Sequence, residues 1–324
     1  MLENKHLIPW AVLVSYFLIL MIIDFFILNK KDKIISNKQA ITETLFFITN
    51  ALLFSGIIYY FYQHNYLNSS SIKSSSDALF KYLTGYIVEL SLSVDNLFVM
   101  AVIFKTYKIP LKYQHKLLFL GILGAIFFRV TLISVGLFLV QKVEGINIIF
   151  GLFLLFTAFK MLKEEDNHGV EADGEMKQNN KKLYKFLRIS DKLDGGNFTT
   201  IINSKKVFTA LFGALITIEL TDILFALDSI PAILAITNEP YIIISSNIFA
   251  IMGLRSLYFF LANMLEKFKY LKYSVFVILV YVSIKLMVAN IYHLPEVLSL
   301  FFIALSLIVG VLYSLFKINK ELTK

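Results

Sequence analysis

The sequence predicts an all-α membrane protein with nine transmembrane helices, which include two inverted repeats of three helices each. Three observations predict this fold: an apolar composition, an alternating distribution of lysine and arginine, and an acid pair that recurs in two separate spans. Of the 324 residues, 57% are hydrophobic, and the apolar runs approach or exceed the roughly 20 residues that a spanning helix needs. The nine runs are 7–28, 41–62, 78–104, 117–140, 146–162, 207–236, 242–264, 272–291 and 295–317.

The basic residues alternate between the two ends of the spans. With the N-terminus outside, 24 lysines and arginines fall in segments that face the cytoplasm, against Lys5, Lys73 and Lys142 in external segments. This is the positive-inside pattern. It predicts a multi-pass protein of the cell membrane (the inner membrane of a bacterium) with an external N-terminus and a cytoplasmic C-terminus. The net charge of +8 is a by-product of this pattern, so the lipid bilayer and not nucleic acid is the expected partner.

The spans divide the chain into five parts. Two peripheral transmembrane helices come first, and their acids Asp24 and Glu43 are expected to reach the lipid headgroups. A first three-helix repeat, a cytoplasmic linker, a second three-helix repeat, and a last helix with a tail follow. The five parts are 1–76, 77–162, 163–206, 207–291 and 292–324.

The cytoplasmic linker between the repeats is acidic at first and then basic. Its residues 182–192 alternate apolar and basic side chains, which suits a short amphipathic helix on the anionic inner leaflet. The Asp-Gly-Gly stretch at 194–196 predicts a turn, and 198–207 predict a small hairpin. A passive linker and a regulatory or partner-docking segment both remain open.

The two repeats share an ordered set of charged residues. Glu89 and Asp95 are six residues apart in the third span, as are Asp222 and Asp228 in the sixth. In each half the following span carries one arginine within the membrane. These arginines are Arg129 and Arg255. A three-span repeat reverses orientation, so the halves are related by a pseudo-two-fold axis in the membrane plane, an arrangement typical of secondary transporters.

The sixth span combines a third acid with a proline. Glu219 precedes Asp222 by one turn, and Pro231 follows Asp228 inside the same apolar run. Proline removes one helical hydrogen bond and crowds the preceding turn, so the sequence predicts a helix break at Pro231. A charged side chain at the bilayer centre costs roughly 2.5 kcal/mol or more, so acids beside a broken helix indicate an ion site.

Three stretches resemble a known family. Residues 89–96 (ELSLSVDN), 219–232 (ELTDILFALDSIPA) and 247–259 (NIFAIMGLRSLYF) look like the signature stretches of the TerC family of integral membrane proteins. The resemblance runs from about residue 77 to residue 315. It implies an Alx- or TerC-type protein associated with manganese efflux, in which the acids of the third and sixth spans bind the metal.

The candidate metal ligands are all oxygen donors. The chain has no cysteine, so the donor set suits Mn²⁺, Mg²⁺ or Ca²⁺ better than a soft metal. Whether the acids form one cage or a ladder across the membrane stays open. Arg129 and Arg255 are interpreted as structural counter-ions, with substrate contact as the alternative. The predicted ligands are Glu89, Asp95, Asn96, Glu219, Asp222 and Asp228.

The leading hypothesis is a secondary transporter that exports Mn²⁺ from the cytoplasm in exchange for protons, since buried carboxylates can hold either cation. Mn²⁺ is then the substrate, and no cofactor is expected. Two alternatives remain: an exporter of small amino-acid-like solutes, and a non-transporting membrane subunit that loads metal onto secreted proteins. An enzyme is not expected, because the chain has neither a Gly-x-Gly-Asp nor a His-Glu-x-x-His motif. Homo-oligomers and membrane partner proteins are both compatible with the sequence.

Overall fold

The computed structural model describes residues 5–28, 36–67, 69, 71–163, 188–190, 192–202, 204–262, 272–288 and 295–322. In these residues the chain forms nine α-helices, one short π-helical segment and one β-hairpin. The helices are α1 (Leu7–Ile23), α2 (Asn37–Gln63), α3 (Ser75–Thr106), α4 (Leu111–Lys142), α5 (Ile146–Lys163), α6 (Ala210–Leu234), α7 (Pro240–Ala262), α8 (Lys272–Val288) and α9 (Glu296–Leu322). The π-helical segment Asp24–Leu28 continues α1, and the strands are β1 (Thr199–Ile202) and β2 (Lys205–Phe208).

Six of these helices are long and apolar enough to cross a membrane: α1, α2, α4, α6, α7 and α9. The apolar parts of α5 and α8 are shorter, Ile146–Phe159 and Tyr273–Val288. Helix α3 has 32 residues and is not among these six. The protein is therefore a multi-pass membrane protein, and six of the nine predicted spans meet the length and hydropathy of a spanning helix in the described part of the chain.

The surface of the bundle is apolar where lipid would lie. Large apolar side chains are more than 60% exposed on α2, α4, α5 and α9, at Leu53, Phe127, Phe156 and Phe316. In water such a surface would be a site of association. In a bilayer it is the expected outer face, and the buried polar residues then mark the interior of the bundle.

The helices of the two predicted repeats pack across the repeats. We call α3–α5 the first group and α6–α8 the second group. Helix α3 packs on α7, α4 packs on α6, and α5 packs on α8. Exchanging the two groups converts the first pair into the second and leaves the third pair unchanged. Outside the groups, α2 packs on α3 and α7, and α9 packs on α3 and α8.

The hairpin before α6 confirms the turn and strand pair expected near 194–207. It ties the beginning of α4 to the beginning of α6. The Lys116 ammonium of α4 donates to the carbonyl of Gly196 at 2.7 Å and lies 4.6 Å from the centre of the Phe198 ring. At α6, Thr209 Oγ1 donates to the carbonyl of Asn197 at 2.8 Å. Most of the amphipathic stretch expected at 182–192 lies outside the described residues.

Helix α6 does not break at Pro231. It continues as an α-helix through this residue and ends at Leu234, and the Pro231 carbonyl accepts a hydrogen bond from the backbone N–H of Ala235 at 3.1 Å. The helix is therefore continuous at Pro231, and a kink of its axis there stays a prediction. Since Pro231 falls in the last turn, the hydrogen bond that it removes lies close to the point where the helix ends.

Candidate functional site

The candidate site lies where α3, α4, α6 and α7 meet, around the guanidinium of Arg129. Arg129, in the middle of α4, is 2% exposed. Its Nη1 binds Glu89 Oε1 of α3. Its Nε and Nη2 donate to the two carboxylate oxygens of Asp222 in α6, each at 3.3 Å. One buried guanidinium therefore holds a carboxylate from the first helix of each group.

Neutral side chains accept further hydrogen bonds from the guanidinium of Arg129. Its Nη1 also lies 3.1 Å from Ser229 Oγ of α6 and 3.2 Å from Asn247 Oδ1 of α7. Asn247 in turn donates through Nδ2 to Glu89 Oε2 at 3.2 Å. The amide thus bridges the acid and the arginine. Sequence reasoning assigned no role to Asn247, although an amide within an apolar span is the kind of signal that could have singled it out.

Two polar residues of α3 extend the cluster. Asn96 Nδ2 lies 3.5 Å from Asp222 Oδ1, and Ser93 Oγ lies 3.4 Å from Glu89 Oε1. Both distances are at the long end for a hydrogen bond. The predicted ligand Asn96 is therefore next to the predicted ligand Asp222, but the hydrogen bond between them is long. We call Glu89, Ser93, Asn96, Arg129, Asp222, Ser229 and Asn247 the Arg129 cluster.

Glu219 lies beside this cluster on α6 and packs against α4. It is half-buried, and its carboxylate covers Gly124, where an added Cβ would overlap both carboxylate oxygens. A side chain larger than glycine at 124 would therefore force the Glu219 carboxylate to move. The buried Oε2 of Glu219 has no hydrogen-bond partner among the described residues. An acceptor in this state is suited to a proton or a metal ion.

The remaining two acids can be placed only by their backbone. Asp95 lies in α3 directly before Asn96, and Asp228 lies in α6 directly before Ser229; their side chains are outside the described part of the structure. Among the side chains that are described, no three histidines, cysteines or acids lie close enough to hold a metal ion. The six-ligand metal site therefore stays a prediction.

The Arg129 cluster is enclosed by apolar side chains at both ends. One apolar group includes Leu97, Leu117 and Ile218, and another includes Ile133 and Ile230. Glu89 is 1% exposed and Asp222 is 4% exposed. The charges of Glu89 and Asp222 are therefore buried in the interior of the bundle.

Arg255 lies apart from the Arg129 cluster, in a second charged site. Its Nη2 binds Asp24 Oδ1 of the π-helical segment and lies 3.9 Å from Glu43 Oε2 of α2. Both acids are buried, so the expectation that they reach the headgroups is wrong. The reason is the packing of α2 on α7, which brings the acids to a buried cation. Within the described side chains, Arg255 forms no ion pair with the acids of α3 or α6.

The sequence profile described as "Integral membrane protein TerC family" matches residues 74–322. The chain is 36% identical over 310 residues to an uncharacterized membrane protein of Rickettsia bellii, covering 96% of this chain and 98% of that protein. It is 39% identical over 284 residues to the "Putative membrane-bound redox modulator Alx" of Escherichia coli K12, covering 87% of this chain and 84% of that protein. No solved structure matches the chain.

Proposed function

This chain belongs to the integral membrane protein TerC family, and from that premise we propose that it is a secondary transporter that exports a divalent metal ion from the cytoplasm. Mn²⁺ is the proposed substrate. The proposed route passes through the acids of α3 and α6, between two inverted repeats formed by α3–α5 and α6–α8. Protons are the proposed counter-substrate.

The observation that carries this proposal is the imbalance of charge at the Arg129 cluster. Apart from Asp77 in the first turn of α3, helices α3 and α6 carry five carboxylates. In the described part of the structure, Arg129 is the cation that binds two of them, Glu89 and Asp222. Arg255 is engaged by Asp24 and Glu43. Because buried charge without compensation is expensive, the remaining acids need protons or a metal ion. The unpartnered Oε2 of Glu219 supports the same reading.

The inverted repeat is supported by the packing of the two groups. The pairs α3 with α7 and α4 with α6 are exchanged by a two-fold operation, and α5 with α8 maps onto itself. Acids on the first helix and an arginine on the second recur in both groups. Transporters with inverted repeats bind their substrates near the midplane at the repeat interface. The Arg129 cluster draws its residues from both groups, as such a site requires.

We propose that Arg129 acts as a tethered substitute for the transported cation. While its guanidinium holds Glu89 and Asp222, neither acid is available to a metal ion. A metal ion that binds these carboxylates has to displace the guanidinium, and Ser229 and Asn247 remain as acceptors for its Nη1. The acids are then neutralised by metal, by protons or by Arg129. The site therefore need not pass through a state with several uncompensated buried charges.

The nature of the donors selects the class of metal. Carboxylate, amide and hydroxyl oxygens suit Mn²⁺, Mg²⁺ and Ca²⁺, and the resemblance to manganese-associated proteins selects Mn²⁺ among them. The Escherichia coli relative is named as a redox modulator. This chain has no cysteine, so thiol–disulfide exchange through its own side chains is excluded, and we do not extend that role to it.

Export of amino-acid-like solutes is a weaker candidate. The carboxylate of such a solute would need the guanidinium of Arg129. The donors of that guanidinium are already directed at Glu89, Asp222, Ser229 and Asn247. A solute would have to displace carboxylates of its own charge, whereas a metal ion displaces a group of its own charge and leaves the acids in place.

Transport by the purified protein tests the proposal. Liposomes that contain the full-length protein and enclose a metal-sensitive dye should take up Mn²⁺ faster than protein-free liposomes. A proton gradient directed out of the liposomes should increase the rate of uptake. Glu219→Gln should slow the flux and Glu144→Gln should not, because Glu144 lies exposed in the α4–α5 turn. Equal rates of uptake for Mn²⁺ and Cd²⁺ would show that the site of oxygen donors does not determine the metal selectivity. Metal binding without flux would favour the metal-loading subunit.

We also propose that the N-terminus is external and the C-terminus cytoplasmic, in the plasma membrane. The support is the distribution of lysine and arginine. A reporter fused after Lys320 or within 164–180 should be active in the cytoplasm, and one at Ser70 should be active outside. An external signal from 164–180 would contradict both the orientation and the direction of the repeats.

A further inference from the structure

The hairpin before α6 and the short segment that precedes it form a groove, which we call the hairpin groove. The segment runs beside β2, because the N–H of Ser190 donates to the carbonyl of Phe208 at 2.8 Å and the N–H of Phe208 donates to the carbonyl of Arg188 at 3.2 Å. Within the hairpin, Ile202 is opposite Lys205, and opposite residues of a strand pair lie on the same face. The hairpin groove has a volume of about 550 Å³, which is within the range of small-ligand sites. It is lined by Arg188, Ile189, Ser190, Ile202, Lys205 and Val207.

The hairpin groove combines two cations with apolar side chains. Arg188 and Lys205 are exposed, and the three apolar residues of the lining are half-buried. Among the described residues, no acidic side chain lines the groove. Ser190 Oγ accepts a hydrogen bond from the backbone N–H of Lys192 at 3.2 Å, and a hydroxyl group can donate one bond while it accepts another. Guanidinium, ammonium and hydroxyl donors together suit the oxygen atoms of a phosphate group.

The hairpin groove lies close to the level of the lipid headgroups. Val207 is three residues before Ala210, where α6 begins, so at most about 10 Å of extended chain separates the two residues. The Phe208 ring stacks on Phe212 in the first turn of α6, with 4.1 Å between ring centres. Helix α6 is long and apolar enough to cross a membrane, so its beginning lies at the edge of the hydrocarbon core. The groove is therefore within reach of the phosphate groups of the adjacent leaflet.

Two further features of the hairpin favour a lipid over a water-soluble anion. Ile201 in β1 is 75% exposed, the largest value among the large apolar side chains in the described part of the chain. An exposed apolar side chain beside cations is typical of surfaces that enter the membrane interface. Residues 188–208 contain four basic residues against two acids, Asp191 and Asp194, so an anionic membrane surface attracts this segment.

We propose that the hairpin groove binds the headgroup of an anionic phospholipid. The phosphate group binds Arg188 and Lys205, and the glycerol end of the acyl chains lies against Ile202 and Val207. Because the hairpin also binds Lys116 of α4, the bound lipid is held beside the helices that carry Arg129 and Asp222. The proposal depends neither on the transported substrate nor on the orientation of the chain in the membrane.

Native mass spectrometry of the full-length protein in detergent tests the proposal by counting the molecules of phosphatidylglycerol that bind as this lipid is added. One basic residue near an anionic membrane surface changes affinity about fivefold, so Arg188→Gln/Lys205→Gln should bind phosphatidylglycerol about 25-fold more weakly than the wild type. The control Lys5→Gln/Lys73→Gln removes the same charge from exposed positions before α1 and α3 and should bind like the wild type. Equal affinities of the wild type and Arg188→Gln/Lys205→Gln would overturn the proposal.

Three further titrations identify what occupies the hairpin groove. Phosphatidylcholine, whose headgroup has no net charge, should bind the wild type more weakly than phosphatidylglycerol, and equal binding would contradict the role of the cations. Inorganic phosphate at millimolar concentration should not displace phosphatidylglycerol, and displacement would show a site for free phosphate. Replacing the six acids of 164–175 with amides should leave the affinity unchanged. A large increase would show that this acidic stretch occupies the groove, and the proposal would be wrong.

A photoactivatable phosphatidylglycerol locates the bound lipid in the full-length protein. Crosslinked peptides should come from residues 188–208, and their yield should fall in Arg188→Gln/Lys205→Gln but not in Lys5→Gln/Lys73→Gln. The yield should also fall in Ile201→Ser, because the exposed apolar side chain no longer enters the interface. Crosslinks that are confined to the transmembrane helices would contradict the proposal.

Discussion

The protein contains two buried arginines with two acids each, and the two sites are built differently. Around Arg129 the acids come from α3 and α6, and amide and hydroxyl groups of Asn247 and Ser229 share the guanidinium. Around Arg255 the acids come from α1 and α2, and two of the guanidinium nitrogens have no described partner. Among the described side chains, the guanidinium of Arg129 has four hydrogen-bond partners, whereas that of Arg255 has one hydrogen-bonded acid and a second acid at 3.9 Å.

This difference indicates different tasks for the same pair of chemical groups. A charge with alternative acceptors nearby can change partners at low cost, which suits a site that exchanges cations. A charge with one close partner among apolar side chains is held in one arrangement. We therefore propose ion exchange at the Arg129 cluster and a structural ion pair between Asp24 and Arg255.

Removing either arginine should have the largest effect and should distinguish the two sites. Arg129→Gln and Arg255→Gln each leave two buried acids without their cation, so each should cost about 3–5 kcal/mol of stability. Thermal unfolding in detergent measures this loss. Among the protein that does fold, Mn²⁺ flux should be lost in Arg129→Gln and retained in Arg255→Gln. Loss of flux in both variants would break the distinction.

The next largest effect is expected from replacing one aspartate with asparagine, and it should differ between the two sites. Asp228→Asn and Asp95→Asn each remove one charge without changing volume. A lost interaction with a charged group is worth about 1.5–3 kcal/mol, so Mn²⁺ flux should fall tenfold or more at near-normal membrane abundance. The matched variant Asp24→Asn should keep its flux. If Asp228→Asn loses abundance and not flux, Asp228 is a structural partner and not a metal ligand.

A smaller effect is expected at the contact between α4 and Glu219. Gly124→Ala forces the Glu219 carboxylate to move, and overpacking of this kind costs about 1–3 kcal/mol. The control is Gly56→Ala in α2, where an added Cβ meets no atom within 4 Å. We expect lower stability and slower flux in Gly124→Ala only. Equal behaviour of the two variants would show that Glu219 is free to leave its place.

The smallest effect concerns a hydroxyl group near the end of α3. Tyr107 Oη lies 2.6 Å from Thr217 Oγ1 of α6, so Tyr107→Phe should cost about 1 kcal/mol of stability. Tyr59→Phe at an exposed position is the control. If flux falls in Tyr107→Phe while stability is unchanged, the contact controls access to the Arg129 cluster and does not simply join α3 to α6.

Much of the fold could be predicted from local sequence. The hydrophobic runs predict the ends of the helices to within a few residues. The Asp-Gly-Gly turn and the hairpin that follows it lie where the sequence predicts them. The TerC resemblance is confirmed over 74–322. Helix α6 is continuous at Pro231 because the effect of proline depends on how far the helix continues beyond it, and tertiary packing decides that point.

The sequence predicts which charged residues belong to the candidate site, but it does not predict which residues they bind. Acids and arginines within spans must be paired, but the sequence does not say with what. Asp24 and Arg255 are separated by 231 positions, and only the packing of the N-terminal helices against α7 brings them together. Likewise, the space that Gly124 provides for Glu219 is visible only once α4 and α6 are in contact.

The hairpin β1–β2 has a mechanical consequence for the pair α4 and α6. Lys116 of α4 and Thr209 at the start of α6 donate to the carbonyls of two adjacent residues just before β1, Gly196 and Asn197. These helices carry Arg129 and Asp222. The hairpin therefore connects α4 and α6 at one end, and the buried ion pair connects them near the middle. A change in the distance between α4 and α6 at this end therefore requires these contacts to shift or break.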